Sequence, residues 1–451
     1  MADLAKIIKA YDIRGVVPGE LNEGVAEAVG AAFIRLTGAG EVVVVHDMRT
    51  SSAPLAGAFA RGATAHGAGV IDAGLGSTDM LYYASGTLGV PGAMITASHN
   101  PSRYNGIKLC REGAKPVGQQ TGLEELRAMI EAGLPASGAA PGRVIRRDLL
   151  SGYAEHLKKL VDVSTIRPLK VVADAGNGMA GYTVPKVLDG LPIDLVPMYF
   201  ELDGTFPHHE ANPIDPGNLR DLQRAVTGNR ADIGLAFDGD ADRCFVVDER
   251  GEIVSPSVLT ALIAARELAR EPGATVIHNL ITSRAVPEII AENGGTPVRT
   301  RVGHSFIKAE MARTGAIFGG EHSGHFYFRD FWFADSGMLA ALHVLAALGH
   351  QDGPLSQLLA RYSRYAASGE VNSEVADQAE ATARVRGAFA GRPGVSTDEL
   401  DGLTVMLPDG WFNLRPSNTE PLLRLNVEAA DEATMASVRD EVLGIARDVT
   451  P

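Results

Sequence analysis

The sequence predicts a multidomain α/β protein, and three observations predict it. Apolar β-branched runs alternate with alanine-rich stretches of helical character, the layering of a parallel sheet covered by helices. Each run ends in a polar or glycine-rich turn. The 451 residues exceed what one core accommodates, so three or four domains are expected.

The elements follow in order. Glu41-Val42-Val43-Val44-Val45-His46-Asp47 reads as a buried strand, and residues 53–66 as the helix that crosses back over it. Leu169–Asp174 is a second such strand, residues 231–237 a third and residues 274–277 a fourth. In open α/β sheets, ligands bind beyond the carboxyl ends of such strands. Glycine, proline and small residues cluster at 133–142, the clearest linker. Further breaks are expected after the hairpin-like Asp248-Glu249-Arg250-Gly251 and near Ala366-Ala367-Ser368-Gly369. The expected domains are therefore 1–145, 146–252, 253–365 and 366–451. The last changes character: short strands at Leu403–Leu407, 411–414 and 422–427 precede a helical tail from Asp431, which suggests a small α+β module.

A net charge of −14 argues against a nucleic-acid partner, whose binding needs a positive footprint. An acidic protein that takes an anionic ligand must gather arginine, lysine and backbone N–H groups locally. No run reaches the roughly 18 apolar residues of a membrane helix, so no membrane partner is expected. Residues 1–10 carry scattered charges where a secretion signal needs an apolar core. Cys110 and Cys244 cannot build a disulfide framework and read as small core residues of a cytoplasmic protein.

Four loops carry chemistry. Thr96-Ala97-Ser98-His99-Asn100-Pro101 brings a hydroxyl and an imidazole together before a proline stop. A lone turn serine is ordinarily a hydrogen-bonding cap. Here His99 and Asn100 adjoin it and Lys108 follows in Asn105-Gly106-Ile107-Lys108, so Ser98 reads as a phosphate carrier. Asp238-Gly239-Asp240-Ala241-Asp242-Arg243 follows an apolar strand with alternating carboxylates that a turn can aim at one centre. Hard oxygen donors with open coordination positions suit Mg²⁺. A phosphate on Ser98 would add an oxygen, which makes Ser98 itself a candidate ligand. The rival is an EF-hand, since Glu249 stands twelfth, but Arg243 occupies the sixth position, where the turn needs glycine, and a strand-like run follows.

The third loop is Gly319-Gly320-Glu321-His322-Ser323-Gly324-His325. Its glycines permit close backbone approach, and its carboxylate, hydroxyl and imidazoles suit vicinal sugar hydroxyls. Zinc on His322 and His325 is the weaker reading, because no third ligand accompanies them. The fourth, Arg415-Pro416-Ser417-Asn418-Thr419-Glu420-Pro421, offers a bidentate guanidinium and short donors, a phosphate clamp. Gly176-Asn177-Gly178-Met179-Ala180-Gly181 also fits the dinucleotide fingerprint, with Asp194 at ribose distance. In a chain with 51 glycines such a match arises readily by chance.

These four loops, in this order, resemble those of the α-D-phosphohexomutase superfamily, in its phosphomannomutase/phosphoglucomutase branch. The likeness covers nearly the whole chain. It implies three related mixed α/β domains and a smaller C-terminal α+β domain around a central cleft. It implies that Ser98 is the phosphoserine beside His99 and that Ser98, Asp238, Asp240 and Asp242 hold the metal. Glu321, Ser323 and His325 would recognise sugar, and Arg415, Ser417, Asn418 and Thr419 phosphate. The resemblance also brings in Tyr11 and Arg14 of Tyr11-Asp12-Ile13-Arg14-Gly15, Arg243, Lys108 for proton transfer, and His304 of Gly303-His304-Ser305-Phe306-Ile307-Lys308 facing substrate. Position 322, often methionine in dual-specificity members, is His322, and the lysine that the family often carries near Ile281 is absent.

The implied activity is reversible transfer between hexose 6-phosphate and hexose 1-phosphate through the phosphoserine and a bound hexose 1,6-bisphosphate. Mg²⁺ would be the metal, and glucose 1,6-bisphosphate or mannose 1,6-bisphosphate the activator. Phosphoglucosamine mutase is the alternative, although that branch typically ends its phosphate loop in serine-glycine-threonine where this chain has Ser417-Asn418-Thr419. A metal-dependent sugar phosphatase shares the metal and the clamp and ranks below it. The oligomeric state, monomer or weak dimer, is left open.

Overall fold

A computed structural model of the chain describes residues 3–416 and 422–447. Four sheets organise them, and three repeat one strand order. In the first, Gly69–Leu75, Glu41–His46 and Gly92–Ile95 run parallel, and Tyr104–Arg111 joins antiparallel. In the second, Ile193–Met198, Leu169–Asp174 and Ile233–Phe237 run parallel before the antiparallel Cys244–Asp248. In the third, Thr296–Thr300, Thr275–Asn279 and Phe318–Gly320 precede the antiparallel Phe326–Phe328. The shared order gives each unit the same exit point for a loop, after its third parallel strand.

The strand expected at residues 41–47 ends at His46, and the next helix spans Ser52–Ala65. Val144–Arg146, which straddles the boundary expected at 145, pairs parallel with Gly69–Leu75 and so extends the first sheet. The glycine fingerprint opens the helix Ala180–Leu188, but its glycines serve packing. A Cβ on Gly178 would stand 2.7 Å from the Gly239 carbonyl oxygen, and one on Gly181 2.3 Å from that of Phe200. Asp194 is the second residue of its strand, at the end away from where ribose would bind.

The terminal module is an antiparallel sheet, Ala366–Glu374, Leu422–Ala429, Gly410–Pro416, Leu403–Leu407 and Ser396–Asp398, carrying the helices Gln378–Phe389 and Glu432–Ala446. Asp377 and Asp431 cap those helices by accepting from backbone N–H groups of the first turn. The small-residue cluster at 366–369 lies inside the first of these strands. Its register shifts between Ala367 and Glu370, where Gly369 takes φ +65°, so the flexible composition serves a β-bulge.

One continuous apolar core runs through the first three units, from Val45 and Leu81 through Tyr153 and Leu235 to Phe318 and Leu342. The module has its own core around Phe389, Phe412 and Val442. It meets the third unit through a small cluster of Leu280, Ile281 and Trp411, beside which Glu428 accepts from Trp411 Nε1 and the Arg284 N–H, both at 2.9 Å. Ile281, near the missing lysine, therefore makes an apolar contact. Both cysteines are buried, and burial pushes the Cys110 thiol up to about 11. Among the described residues, no helix is long and apolar enough to cross a membrane.

The three units also share a buried carboxylate. Asp79 accepts from Ser77 Oγ in its own unit, from Tyr153 OH of the second at 2.7 Å and from Ser336 Oγ of the third at 2.6 Å. Burial raises its pKa from 3.8 to about 6; the three hydroxyls oppose the rise and the charge of Asp242 adds to it. An acid whose folded pKa is raised stabilises the fold fully below its unfolded pKa and loses that contribution as pH rises through about 6. Asp79→Asn cannot titrate. The stability of wild type relative to Asp79→Asn should therefore rise between pH 7.5 and pH 4.5, by about 2 kcal/mol, in paired urea unfolding curves. A pH-independent difference would contradict this.

Candidate active site

The third parallel strand of each repeating unit delivers one predicted loop: Gly92–Ile95 leads to Ser98, Ile233–Phe237 to Asp238 and Phe318–Gly320 to Glu321. Three carboxyl ends thus meet at one place. The loops touch through backbone. A Cβ on Gly239 would stand 2.4 Å from the Ser98 carbonyl oxygen, Arg243 bridges His325 as an isolated antiparallel pair, and Cys244 N–H donates to the Gly324 carbonyl at 3.2 Å. Gly239→Ala must push the serine and carboxylate loops apart. It should cost about 1–3 kcal/mol of stability and a larger share of activity, checked by thermal unfolding beside turnover; an unchanged kcat would refute the close approach.

Ser98 is buried and sits at φ +51°, the left-handed region that a non-glycine residue enters at a cost. Its N–H donates to Thr96 Oγ1 at 2.9 Å, and its Oγ donates to Asp238 Oδ2 at 2.9 Å. His99 Nδ1 lies 3.2 Å from that Oγ and accepts from Arg243 at 3.0 Å. Burial, reinforced by Arg243 and Arg14, holds the His99 ring well below the usual imidazole range. The loop is laced by Arg49, which donates to the carbonyls of Ser98 at 2.9 Å and Asn100 at 2.6 Å and pairs with the buried Asp47 at 3.2 Å. Arg14 bonds Asn100 and Asp12.

Asp238, Asp240 and Asp242 are fully buried, and their ligand atoms lie within 4.8 Å of one another. Lys108 Nζ stands 2.7 Å from both Asp240 and Asp242, and Arg243 Nε 3.4 Å from Asp238. Burial, with the charges of Asp242 and Asp240, raises the Asp238 carboxyl well above its ordinary range. For Asp242 burial acts the same way, but Lys108, His325 and Arg243 outweigh it and hold the carboxyl well down. For Lys108, burial disfavours charge, yet its two carboxylates prevail and keep it an ammonium. Among the described residues, Asp240 Oδ1 and Asp242 Oδ1 are buried without a close hydrogen-bond partner, His325 Nε2 standing 3.5 Å from the latter. Two orphaned hard oxygens in a triplet fit a small divalent cation such as Mg²⁺. A second, overlapping group of Asp242, His325 and Asp335 suits it less, since one of its donors is nitrogen where Mg²⁺ prefers oxygen.

Glu321 is buried and held from several sides. Tyr327 OH donates to its Oε2 at 2.7 Å, and Gly303 N–H and Asn279 Nδ2 to its Oε1 at 3.2 and 3.4 Å. Ser323 Oγ lies 3.0 Å from His325 Nδ1, whose other ring nitrogen is 3.5 Å from Asp242. Tyr11 hydrogen-bonds Ser305, and burial raises its phenol pKa. Its hydroxyl lies 2.8 Å from where a Cβ on Gly303 would stand. Arg415 is buried and donates to Glu370 at 2.9 Å, while its Nε has no hydrogen-bond partner among the described residues. His322 feels Glu370 and Arg415, and burial lowers its pKa, so the third loop reaches the terminal module. Ser417, Asn418 and Thr419 lie outside the described residues. So does the His304 side chain, whose backbone opens the helix His304–Thr314.

The arrangement brings Ser98, His99, Arg14, Lys108, Asp238, Asp240, Asp242, Arg243, Glu321, Ser323 and His325 together. Arg49, Thr78, Asp79, Lys308 and Asp335 were missed. Arg49 and the Thr78-Asp79 pair follow parallel strands at their carboxyl ends, so the strand-end rule was the signal available for them.

The four models of the phosphoglucomutase/phosphomannomutase family match in order: alpha/beta/alpha domain I at residues 5–135, domain II at 151–251, domain III at 256–365 and the C-terminal domain at 370–445. The chain belongs to the phosphoglucomutase/phosphomannomutase family. A phosphomannomutase of Escherichia coli is 40% identical over 449 residues, 97% of this chain and 98% of that protein. A protein of Xanthomonas campestris pv. campestris named phosphohexose mutases is 41% identical over 435 residues, 96% of this chain and 97% of that one. A crystal structure of a phosphoglucomutase/phosphomannomutase family protein from Burkholderia thailandensis superposes with a TM-score of 0.90 at 33% identity, covering 100% of this chain and 99% of that one. Family membership places Ser98 and the carboxylate triplet in domains I and II, and the Glu321 loop in domain III.

Proposed function

We propose that the protein is a phosphohexomutase, with phosphomannomutase and phosphoglucomutase activity, that moves a phosphoryl group between the 6- and 1-positions of a hexose through Ser98. One observation carries this reading: Ser98 Oγ lies 2.9 Å from Asp238, within a buried carboxylate triplet whose Asp242 lies 3.5 Å from His325 of the Glu321 loop. The names of the relatives support it. Asp238, Asp240, Asp242 and an oxygen at Ser98 would hold Mg²⁺, which would supply positive charge to offset that of the group in transfer.

In the first half-reaction a sugar hydroxyl oxygen bonds to phosphorus as the phosphorus–Oγ bond of phosphorylated Ser98 breaks, and the hydroxyl proton ends on Oγ; in the second, Oγ bonds to the other phosphorus of the bisphosphate as its bond to the sugar oxygen breaks, and the Oγ proton ends on that sugar oxygen. Lys108, held as an ammonium by Asp240 and Asp242, gives the leaving oxygen a proton and takes one from the attacking hydroxyl, with Arg14 or His304 assisting. Arg243 and His99 flank the serine and exclude water from it. Glu321, Ser323 and His325 hold hydroxyls common to glucose and mannose, so the C2 epimers are both accepted; a site bonded strictly to the C2 hydroxyl would reject one of them. The bisphosphate must turn end for end between half-reactions. Arg415, whose Nε has no hydrogen-bond partner among the described residues, and the adjoining Ser417, Asn418 and Thr419 therefore clamp the phosphate at either end, and Tyr11 closes the wall against Gly303.

Rates on mannose 1-phosphate, glucose 1-phosphate and glucosamine 1-phosphate test the reading. Turnover of the first two, stimulated by glucose 1,6-bisphosphate, is expected. Preference for the third would assign a phosphoglucosamine mutase, and steady release of inorganic phosphate without isomerised product would assign a phosphatase.

A further inference from the structure

Thr78 and Asp79 form the N-terminal end of the helix Thr78–Leu88, and neither belongs to the four loops. Thr78 touches the metal loop twice. Its Oγ1 donates to Asp240 Oδ2 at 2.5 Å, and its N–H donates to the Asp240 carbonyl at 3.0 Å. Asp240 is thereby fixed at backbone and side chain, while its other carboxylate oxygen stays without a hydrogen-bond partner among the described residues. Asp79 fixes the helix end that carries Thr78, through Ser77, Tyr153 and Ser336.

Ser336 extends the linkage to the sugar side. Its Oγ accepts from Leu339 N–H at 3.0 Å and so caps the helix Gly337–Gly349. Its N–H bonds the Phe326 carbonyl at 3.0 Å, next to His325. The preceding Asp335 lies 3.9 Å from His325. At the start of that helix, a Cβ on Gly337 would stand 2.5 Å from the Arg243 carbonyl oxygen and 3.0 Å from that of Ala241. The metal loop is thus gripped from the first unit by Thr78 and from the third by Gly337, and Asp79 joins the two grips.

We infer that Thr78 and Asp79 are positioning residues for the metal centre: Thr78 aims the Asp240 carboxylate, and the Asp79 junction sets where Thr78 stands relative to the Ser336 side. The inference rests on the reading of Asp238, Asp240 and Asp242 as a metal site. Groups that orient a metal-ligating carboxylate typically carry about 10–100-fold of the metal affinity. A generic structural threonine would carry none.

Mn²⁺ binding to the full chain, read by electron paramagnetic resonance, tests the inference without any turnover. Thr78→Val, which keeps the shape and removes the hydroxyl, should weaken Mn²⁺ binding by about tenfold or more, with its unfolding temperature recorded alongside. Thr78→Ser restores the hydroxyl and should bind nearly as wild type. Ser336→Ala, which removes a hydrogen bond to Asp79 and none to Asp238, Asp240 or Asp242, should weaken binding by a smaller factor, and wild-type affinity in it would overturn the role of the Asp79 junction. Wild-type affinity in Thr78→Val, or equal weakness in Thr78→Ser, would overturn the positioning role and leave the metal reading intact. Failure of the wild-type chain itself to bind Mn²⁺ would overturn both.

Discussion

Ser98→Ala is expected to abolish hexose phosphate interconversion, by at least about 10⁴-fold, the scale on which removing a nucleophile outweighs what binding alone still provides. Oγ is aimed at Asp238 by a left-handed backbone and held there by Arg49 through the loop carbonyls. The fold should survive. The lost hydrogen bond is worth about 1 kcal/mol, and Asp238 keeps Arg243 at 3.4 Å. Intact mass should show phosphate on wild type treated with glucose 1,6-bisphosphate and none on Ser98→Ala. A variant that turns over normally, or that still acquires phosphate, would sink the assignment of Ser98.

Removal of the metal should have the second largest effect. Exhaustive chelation is expected to bring activity to background and added Mg²⁺ to restore it, with the unfolding temperature rising as Mg²⁺ saturates, since a ligand bound only by the native state stabilises it. Asp240→Asn keeps the size of the ligand and removes its charge, while Lys108 retains Asp242 at 2.7 Å. It should lower kcat/KM by about 10³-fold, the equivalent of several kcal/mol of lost electrostatic stabilisation, with a raised Mg²⁺ requirement. Full activity after chelation would refute a metal role. A loss not relieved by high Mg²⁺ would mean that Asp240→Asn acts through its partners Thr78 and Lys108 instead of through the cation.

The alternation of buried strands with helical stretches was readable because parallel strands covered on both faces need near-continuous apolar runs. Glu41–His46 and Leu169–Asp174 stand where that pattern puts them. The terminal strand Ala366–Glu374 was missed, because it is mostly half-exposed and carries a bulge at Gly369. Its composition is that of a loop, and only pairing with Leu422–Ala429 makes it a strand. Asp79 was unreadable for a related reason. Nothing local distinguishes it from a solvated helix-cap acid until Tyr153 and Ser336 arrive from two other units.

The sequence by itself determined the α/β class, the four loops and their chemical types, because each depends on residues close along the chain: a hydroxyl beside an imidazole, alternating carboxylates after a strand, glycines around an acid. Tertiary structure alone decided that Ser98 donates to Asp238, that Lys108 is bound as an ammonium between Asp240 and Asp242, and that Thr78 and Arg49 brace the two loops. Those contacts join residues more than a hundred positions apart or lie under backbone carbonyls. They exist only because three units of one strand order turn the same carboxyl ends toward a common point.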